Sequence, residues 1–149
     1  MSVSGNSVRL VQEHGTAAVI LDEEGSLLVI QPAIKRGAWR SGIASIIEEE
    51  IQEQLTRFFG SAVGSSTIDP AQRLSHVAIV VAMRGAGHMS WRTRDEQQRS
   101  HNSATMSMRA SEHIAVTLPP PVHRRAALLH DTQRLGEDFT VRLRREIKG

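Results

Sequence analysis

Apolar residues recur every four positions across residues 42–59, and this spacing constrains the fold more than any other feature of the chain. The positions are Ile43, Ile47, Ile51, Leu55 and Phe59. A period near 3.6 predicts an amphipathic helix with one buried face. Such a face has to pack against another element, so we expect this helix to lie on a sheet.

The residues before this helix predict antiparallel strands. Apolar runs at residues 17–21 and 27–30 flank an acidic turn with Gly25, which is typical of a β-hairpin. Residues 8–12 predict a further short strand, and residues 1–6 are expected to be disordered. This half of the chain therefore predicts a small antiparallel sheet.

The middle of the chain contains one long apolar run followed by polar sequence. The run LSHVAIVVAMRG, residues 74–85, predicts a strand buried on both faces, and residues 88–94 are expected to pair back against it. Residues 95–103 are polar without periodicity, so we expect a mobile loop there.

The carboxyl-terminal residues change from strand spacing to helical spacing. Residues 113–118 alternate between apolar and other side chains, the period of a strand with one buried face. Three prolines then open a helical pattern that we expect to stop at Gly136. Asp138 is placed to cap a second helix, in which Phe139, Leu143 and Ile147 share one face.

Together these patterns predict a single α+β domain over residues 1–149, with an antiparallel sheet packed by the one long helix and a carboxyl-terminal helical hairpin. A chain of 149 residues can bury a core without cross-links. It has no cysteine, which excludes disulfides and thiolate metal sites. Since no membrane span or secretion signal is evident, we expect a cytoplasmic protein without a membrane partner.

Positive charge is concentrated in the second part of the chain. Residues 1–60 carry five basic and eight acidic side chains, whereas residues 61–149 carry thirteen basic and eight acidic ones. Sixteen of the eighteen cations are arginine, whose planar guanidinium suits phosphate and carboxylate groups. Nucleic acid and acidic protein surfaces are both compatible partners for this charge. A solvated basic surface without any ligand would explain the charge equally.

The order of strand, helix, turn and helix over residues 112–148 resembles the ribbon-helix-helix family of DNA-binding proteins. The resemblance implies a homodimer in which two chains pair their strands into a ribbon that enters the major groove. His113, Ala115 and Thr117 would then face the base edges. Unlike that family, this chain has Glu137 and Asp138 at the turn between the predicted helices, where they would repel phosphate.

The preferred hypothesis is a small, non-enzymatic nucleic-acid-binding or regulatory protein that uses its basic carboxyl-terminal part. The strand at 113–117 would read bases. The phosphate contacts would come from five arginines, Arg124, Arg125, Arg142, Arg144 and Arg145. The alternative is a protein-interaction or assembly module in which the same arginines pair with acidic partner surfaces.

A second alternative follows from the amino-terminal half, which resembles the opening of the Nudix hydrolase signature. The sequence GAW at residues 37–39 precedes Gly42, and five residues separate Gly42 from Glu48. The family's glutamate-rich helix would hold magnesium, but the corresponding stretch here is TRFFGSAVG. The resemblance therefore implies at most a degenerate nucleotide-binding domain without activity.

Enzyme chemistry has no clear sequence motif in this chain, so we predict no catalytic residue, metal site or cofactor. Four carboxylates, Glu48, Glu49, Glu50 and Glu53, form either a solvated acidic face or, less favoured, a divalent cation site. Trp39 and Trp91 each lie beside arginines. Packing in the core is favoured for both over stacking on nucleic-acid bases.

Overall fold

The computed structural model of this protein describes residues 2–4, 7–11, 18–22, 26–34, 45–62, 75–85, 89–100 and 112–149. The chain divides into two compact units. The four strands nearest the amino terminus belong to the first unit, and all later described helices and strands belong to the second. The single domain predicted over residues 1–149 stays a prediction.

The first unit contains a four-stranded antiparallel sheet, in which each strand pairs with the next. Its strands are β1 (Ser2–Ser4), β2 (Ser7–Val11), β3 (Ala18–Asp22) and β4 (Leu27–Ile30). The predicted hairpin at residues 17–30 is confirmed, because β3 and β4 pair in antiparallel register. Strand β1 lies in the segment that was expected to be disordered.

The second unit opens with strand β5 (Ser45–Ile47), which continues directly into helix α1 (Glu48–Ala62). The helix predicted over residues 42–59 therefore begins later than expected, and residues 42–44 lie outside the described ones. Ile46 and Ile47 are β-branched residues, which favour strands, and they pair with a second strand here. Glutamates fill the first turn of α1, where the helix dipole favours negative charge.

Strand β8 (Ser90–Arg92) is the partner of β5, and the two strands are parallel. The Oγ atoms of Ser45 and Ser90 lie 2.6 Å apart in a buried hydrogen bond, which fixes the register. Ile46 and Trp91 are buried beside this bond. The predicted pairing of residues 88–94 with residues 74–85 is therefore wrong, since β8 pairs with a strand that is distant in sequence.

Two strands replace the long strand predicted over residues 74–85, namely β6 (His76–Ala78) and β7 (Val81–Arg84). Strand β7 pairs with β9 (His113–Val116), and β6 pairs with β10 (Val122–Arg124), both antiparallel. The three prolines thus lie between two strands instead of opening a helix. Proline has no N–H to donate to a ladder, which explains the interruption between β9 and β10.

Helix α2 (Arg94–Arg99) occupies most of the segment predicted to be a mobile loop. It begins with a capping box, in which Thr93 Oγ1 accepts a hydrogen bond from the Glu96 N–H at 3.1 Å. Glu96 Oε2 accepts one in return from the Thr93 N–H at 2.8 Å. Local capping thus forms a helix that apolar periodicity did not indicate, and residues 101–103 lie outside the described ones.

This capping box predicts a small dependence of stability on pH. The hydrogen bond from the Thr93 backbone N–H is the main reason that the pKa of Glu96 lies below its usual value. A lowered folded-state pKa stabilises the protein above the unfolded pKa, and that contribution disappears as pH falls through the folded pKa. Because Glu96 is exposed, we expect less than about 1 kcal/mol.

Urea unfolding of the wild type and Glu96→Gln across acidic and neutral pH tests this prediction. The difference in unfolding free energy should be present at neutral pH and vanish in acid. Glu146→Gln removes an exposed carboxylate from another helix and serves as the control. A difference for Glu96→Gln that did not change with pH would contradict the assigned role of its carboxylate.

The chain ends with helices α3 (Arg125–His130) and α4 (Thr132–Lys148). Two carboxyl-terminal helices were predicted, but the boundary between them lies at Asp131 instead of at Gly136 and Asp138. Gly136 is buried within α4, and its lack of a side chain allows α1 to approach closely. A Cβ atom at this position would clash with Thr56 Oγ1 and would lie 3.2 Å from the Thr56 backbone nitrogen.

The core of the second unit lies mainly between α1 and α4. Phe59 and Phe139 are fully buried with ring centroids 5.6 Å apart, and Leu143 and Ile147 continue the same face of α4. The predicted α+β class is confirmed. The long helix packs chiefly on α4, however, and the sheets are small. Among the described residues, none of the helices has the length and apolar character needed to cross a membrane.

Candidate nucleic-acid interface

Strands β6 and β10 form one antiparallel pair, strands β7 and β9 form another, and each pair has an exposed side. Exposure alternates without a break along residues 76–84, so the even-numbered side chains point to solvent. Register places four of them opposite exposed residues of β9 and β10, whereas Val80 and the exposed Thr117 lie just outside the strands. We call this surface the ribbon face, and its members are His76, Ala78, Val80, Ala82, Arg84, His113, Ala115, Thr117, Val122 and Arg124.

Basic residues occupy both ends of the ribbon face. Arg84 lies directly opposite His113 at one end, and Arg124 lies opposite His76 at the other. The eight-residue step from His76 to Arg84 spans about 26 Å in an extended strand. None of the ten residues of the ribbon face is acidic, so both of its ends carry basic side chains only.

The middle of the ribbon face is apolar and made of small side chains. Ala82 lies opposite Ala115, and Ala78 lies opposite Val122. Val80 is 63% exposed and Val122 is 49% exposed. On the opposite side of the ribbon, Ile114 and Val116 are buried, and β9 packs against α4. The exposed side of β9 is therefore supported from behind by a packed core.

The structure divides the eight residues predicted to contact nucleic acid among different surfaces. His113, Ala115, Thr117 and Arg124 are exposed on the ribbon face. Three-dimensional pairing adds Arg84 and His76, which sequence reasoning missed because they lie in a run interpreted as a buried strand. The alternation of side chains along residues 76–84 was the available signal.

The other four predicted residues lie elsewhere. Arg142 and Arg145 line a cleft beside α4 that has a volume of about 500 Å³. Arg125 is half-buried at the start of α3. Arg144 points to Glu48, with its Nη1 atom 2.9 Å from Glu48 Oε1. The ion pair occupies this guanidinium, so Arg144 is less suited to contact phosphate than the sequence implied.

Glu48 also accepts a hydrogen bond from Trp91, whose Nε1 atom lies 2.7 Å from Glu48 Oε2. The Glu48 side chain is only 17% exposed, and Trp91 is 4% exposed. The predicted core position of Trp91 is confirmed, with its indole N–H satisfied by a carboxylate. Trp39 lies outside the described residues. Glu48 thus connects α1, β8 and α4.

Two more glutamates of α1 contact Arg94 at the start of α2. Glu49 Oε2 accepts a hydrogen bond from the Arg94 backbone N–H at 2.8 Å, and Glu53 Oε1 accepts one from its guanidinium at 3.1 Å. The hydrogen bond to Glu53 is the main reason that the pKa of Arg94 is raised. The acidic face of α1 is therefore largely engaged by protein groups instead of being simply solvated.

The possibility of a metal site can be judged from the side chains in the part of the chain that the structure describes. No group of three or more histidine, aspartate or glutamate side chains there comes together in a way that could hold a metal ion. Glu48, on which the Nudix resemblance depends, contacts Trp91 and Arg144.

Comparison with known proteins adds no relative. No protein-family model, curated protein or solved structure matches this chain.

Proposed function

We propose that this protein is a non-enzymatic nucleic-acid-binding protein whose contact surface is the ribbon face. The observation that carries the proposal is the charge pattern of that face, which has basic residues at both ends and no acidic member. Duplex DNA has a uniformly negative backbone, so a surface whose charges are all positive can approach it without repulsion.

The shape of the ribbon supports the same proposal. The major groove of DNA is about 12 Å wide and admits a two-stranded β-ribbon. Ala82 and Ala115 are small enough to let the strands approach base edges. Because β7 and β9 belong to the same chain, a single chain supplies both strands, and the proposal does not require the predicted homodimer.

Each part of the ribbon face has a defined role in this proposal. Arg84 and Arg124 contact phosphates at the two ends, and these contacts fix the position of the protein. His113 and Thr117 donate or accept hydrogen bonds at base edges, while Ala115 contacts a thymine methyl group. Since no bidentate base contact is available among these three, we expect weak sequence preference.

Fluorescence anisotropy of a labelled random-sequence duplex, titrated at low and near-physiological salt, tests the proposal. We expect binding that weakens steeply with salt. Arg84→Ala combined with Arg124→Ala should weaken binding and reduce the slope of log affinity against log salt by about two, because each phosphate contact contributes about 0.9.

The matched control is Arg142→Ala combined with Arg145→Ala, which removes the same charge from a different surface. It should cost less affinity than the ribbon-face pair. An equal loss of affinity from both pairs would overturn the assignment to the ribbon face. Binding would then be attributed to the positive charge of the surface in general. An absence of binding at low salt would remove the proposed function altogether.

A second candidate is favoured by the exposed valines of the ribbon face. Val80 and Val122 give its middle an apolar character that DNA does not need. A protein partner with an apolar segment between acidic residues would match both the middle and the ends. If the valines serve a protein partner, replacing both by serine should leave duplex affinity nearly unchanged. A loss of duplex affinity would show that the valines contact DNA and would remove the ground for the second candidate.

A further inference from the structure

We propose that the cleft beside α4 binds a phosphate monoester, independently of any nucleic acid on the ribbon face. The cleft has a volume of about 500 Å³, within the range of about 300 to 1,000 Å³ that small-molecule sites occupy. One wall is formed by α4, and the other includes the residues between β9 and β10. It is large enough for a small organic ligand with a charged group.

Two arginines give the cleft its binding chemistry. Arg142 and Arg145 are three residues apart on α4, so their side chains emerge on the same side of the helix, about 4.5 Å apart along its axis. Neither side chain has an ion pair or hydrogen-bond partner among the described residues. Their two positive charges are therefore available to a ligand.

Two acidic residues line the cleft, Asp131 just before α4 and Asp138 one turn, or about 6 Å along the axis, before Arg142. Asp138 pairs with Arg134, whose Nε atom is 3.9 Å from Asp138 Oδ2. Asp131 lies 14 residues before Arg145, about 21 Å along the helix axis. Because Asp138 pairs with Arg134 and Asp131 is distant, an anion is favoured beside Arg142 and Arg145, and the two carboxylates can accept hydrogen bonds from the rest of the ligand.

The remaining walls suit an organic body and one further polar contact. Leu118, Pro119 and Val141 provide apolar surface. His123 also lines the cleft, and its Nε2 atom is buried without a hydrogen-bond partner among the described residues. A buried nitrogen without a partner costs stability, so this wall carries a polar group that the described contacts do not satisfy.

The charge of the ligand follows from the two available arginines. A phosphate monoester carries a charge between −1.5 and −2 at neutral pH, which matches two guanidinium groups, whereas a carboxylate matches one. Planar guanidinium groups also bind phosphate oxygens in a bidentate manner. The observations together favour a phosphate monoester with an apolar or aromatic body.

Calorimetric titration of the full chain with three probes tests this inference. Phenyl phosphate carries both the phosphate and an apolar body, inorganic phosphate lacks the body, and benzoate replaces the phosphate with a carboxylate. We expect phenyl phosphate to bind most tightly. Arg142→Ala combined with Arg145→Ala should weaken its binding by about tenfold or more, because two charge-assisted contacts are lost.

The ribbon-face pair, Arg84→Ala with Arg124→Ala, removes the same net charge and should leave phenyl phosphate affinity unchanged. Equal losses in both pairs, equal affinity for benzoate, or no binding of phenyl phosphate would each overturn the inference. The duplex titration of the same two variants reports on the ribbon face separately, so the failure of either proposal can be distinguished from failure of the other.

His123→Leu provides a second measurement. Because Nε2 has no partner among the described residues, we expect the melting temperature to be kept or raised while phenyl phosphate binding weakens. A variant with lower stability and unchanged affinity would remove His123 from the proposed site.

Discussion

Glu48→Ala should lower the free energy of unfolding by about 2 to 4 kcal/mol, the largest effect that we expect from any polar substitution in this protein. The carboxylate accepts hydrogen bonds from the Trp91 indole and the Arg144 guanidinium, and its side chain is only 17% exposed. Removal leaves the buried indole N–H without its acceptor. Arg144 is 39% exposed, so water can replace part of the interaction that its guanidinium loses.

Chemical denaturation of Glu48→Ala, Glu48→Gln and Glu53→Ala measures this effect. Glutamine keeps one acceptor for Trp91 and loses only the charge opposite Arg144, so its cost should be intermediate. Glu53 lies on the same helix and also pairs with an arginine, but that pair is exposed on both sides. Glu53→Ala should therefore cost less than about 1 kcal/mol. Equal costs for Glu48→Ala and Glu53→Ala would contradict the buried role of Glu48.

Gly136→Ala should lower the free energy of unfolding by about 1 to 2 kcal/mol, although alanine favours helices more than glycine does. The new Cβ would clash with Thr56 Oγ1 and would lie 3.3 Å from the backbone oxygen of Gln52. The threonine side chain can rotate, but the backbone of α1 cannot move without separating the two helices. Overpacking therefore outweighs the gain in helix propensity of about 1 kcal/mol.

Gly60→Ala is the matched control, because Gly60 also lies inside a helix but faces open space. No atom lies within 4 Å of a Cβ atom built at that position. The substitution should raise the free energy of unfolding by up to about 1 kcal/mol through helix propensity alone. Opposite signs for the two glycines, measured by urea unfolding, are the expected result. If both substitutions stabilised the protein, the close approach of α1 to α4 would be contradicted.

Helix boundaries illustrate why local patterns predicted the elements better than their ends. Gly136 and Asp138 are common signals for the end and start of a helix, yet α4 runs through both. The close approach of α1 makes a glycine favourable inside the helix, and that contact joins residues 80 positions apart in the sequence. No local pattern records such a contact.

The candidate site shows the same division between sequence and structure. Alternation correctly predicted that His113, Ala115 and Thr117 are exposed, although β9 ends at Val116, one residue before Thr117. The sequence did not place Arg84 beside them, because strand pairing is a contact between distant segments. Nor did it indicate that Arg144 would pair with Glu48, an interaction that follows from the packing of α4 on α1.

The sequence by itself determined the α+β class, the hairpin of β3 and β4, the alternation of β9 and the buried face of α4. Each is a periodic pattern of burial within one segment, and the preference of apolar side chains for the core is sufficient to produce it. Only the tertiary structure decided how the strands after that hairpin pair, which carboxylates are engaged and where the arginines are exposed. These features depend on contacts between segments far apart in the chain, and such contacts leave no periodic signal in either segment.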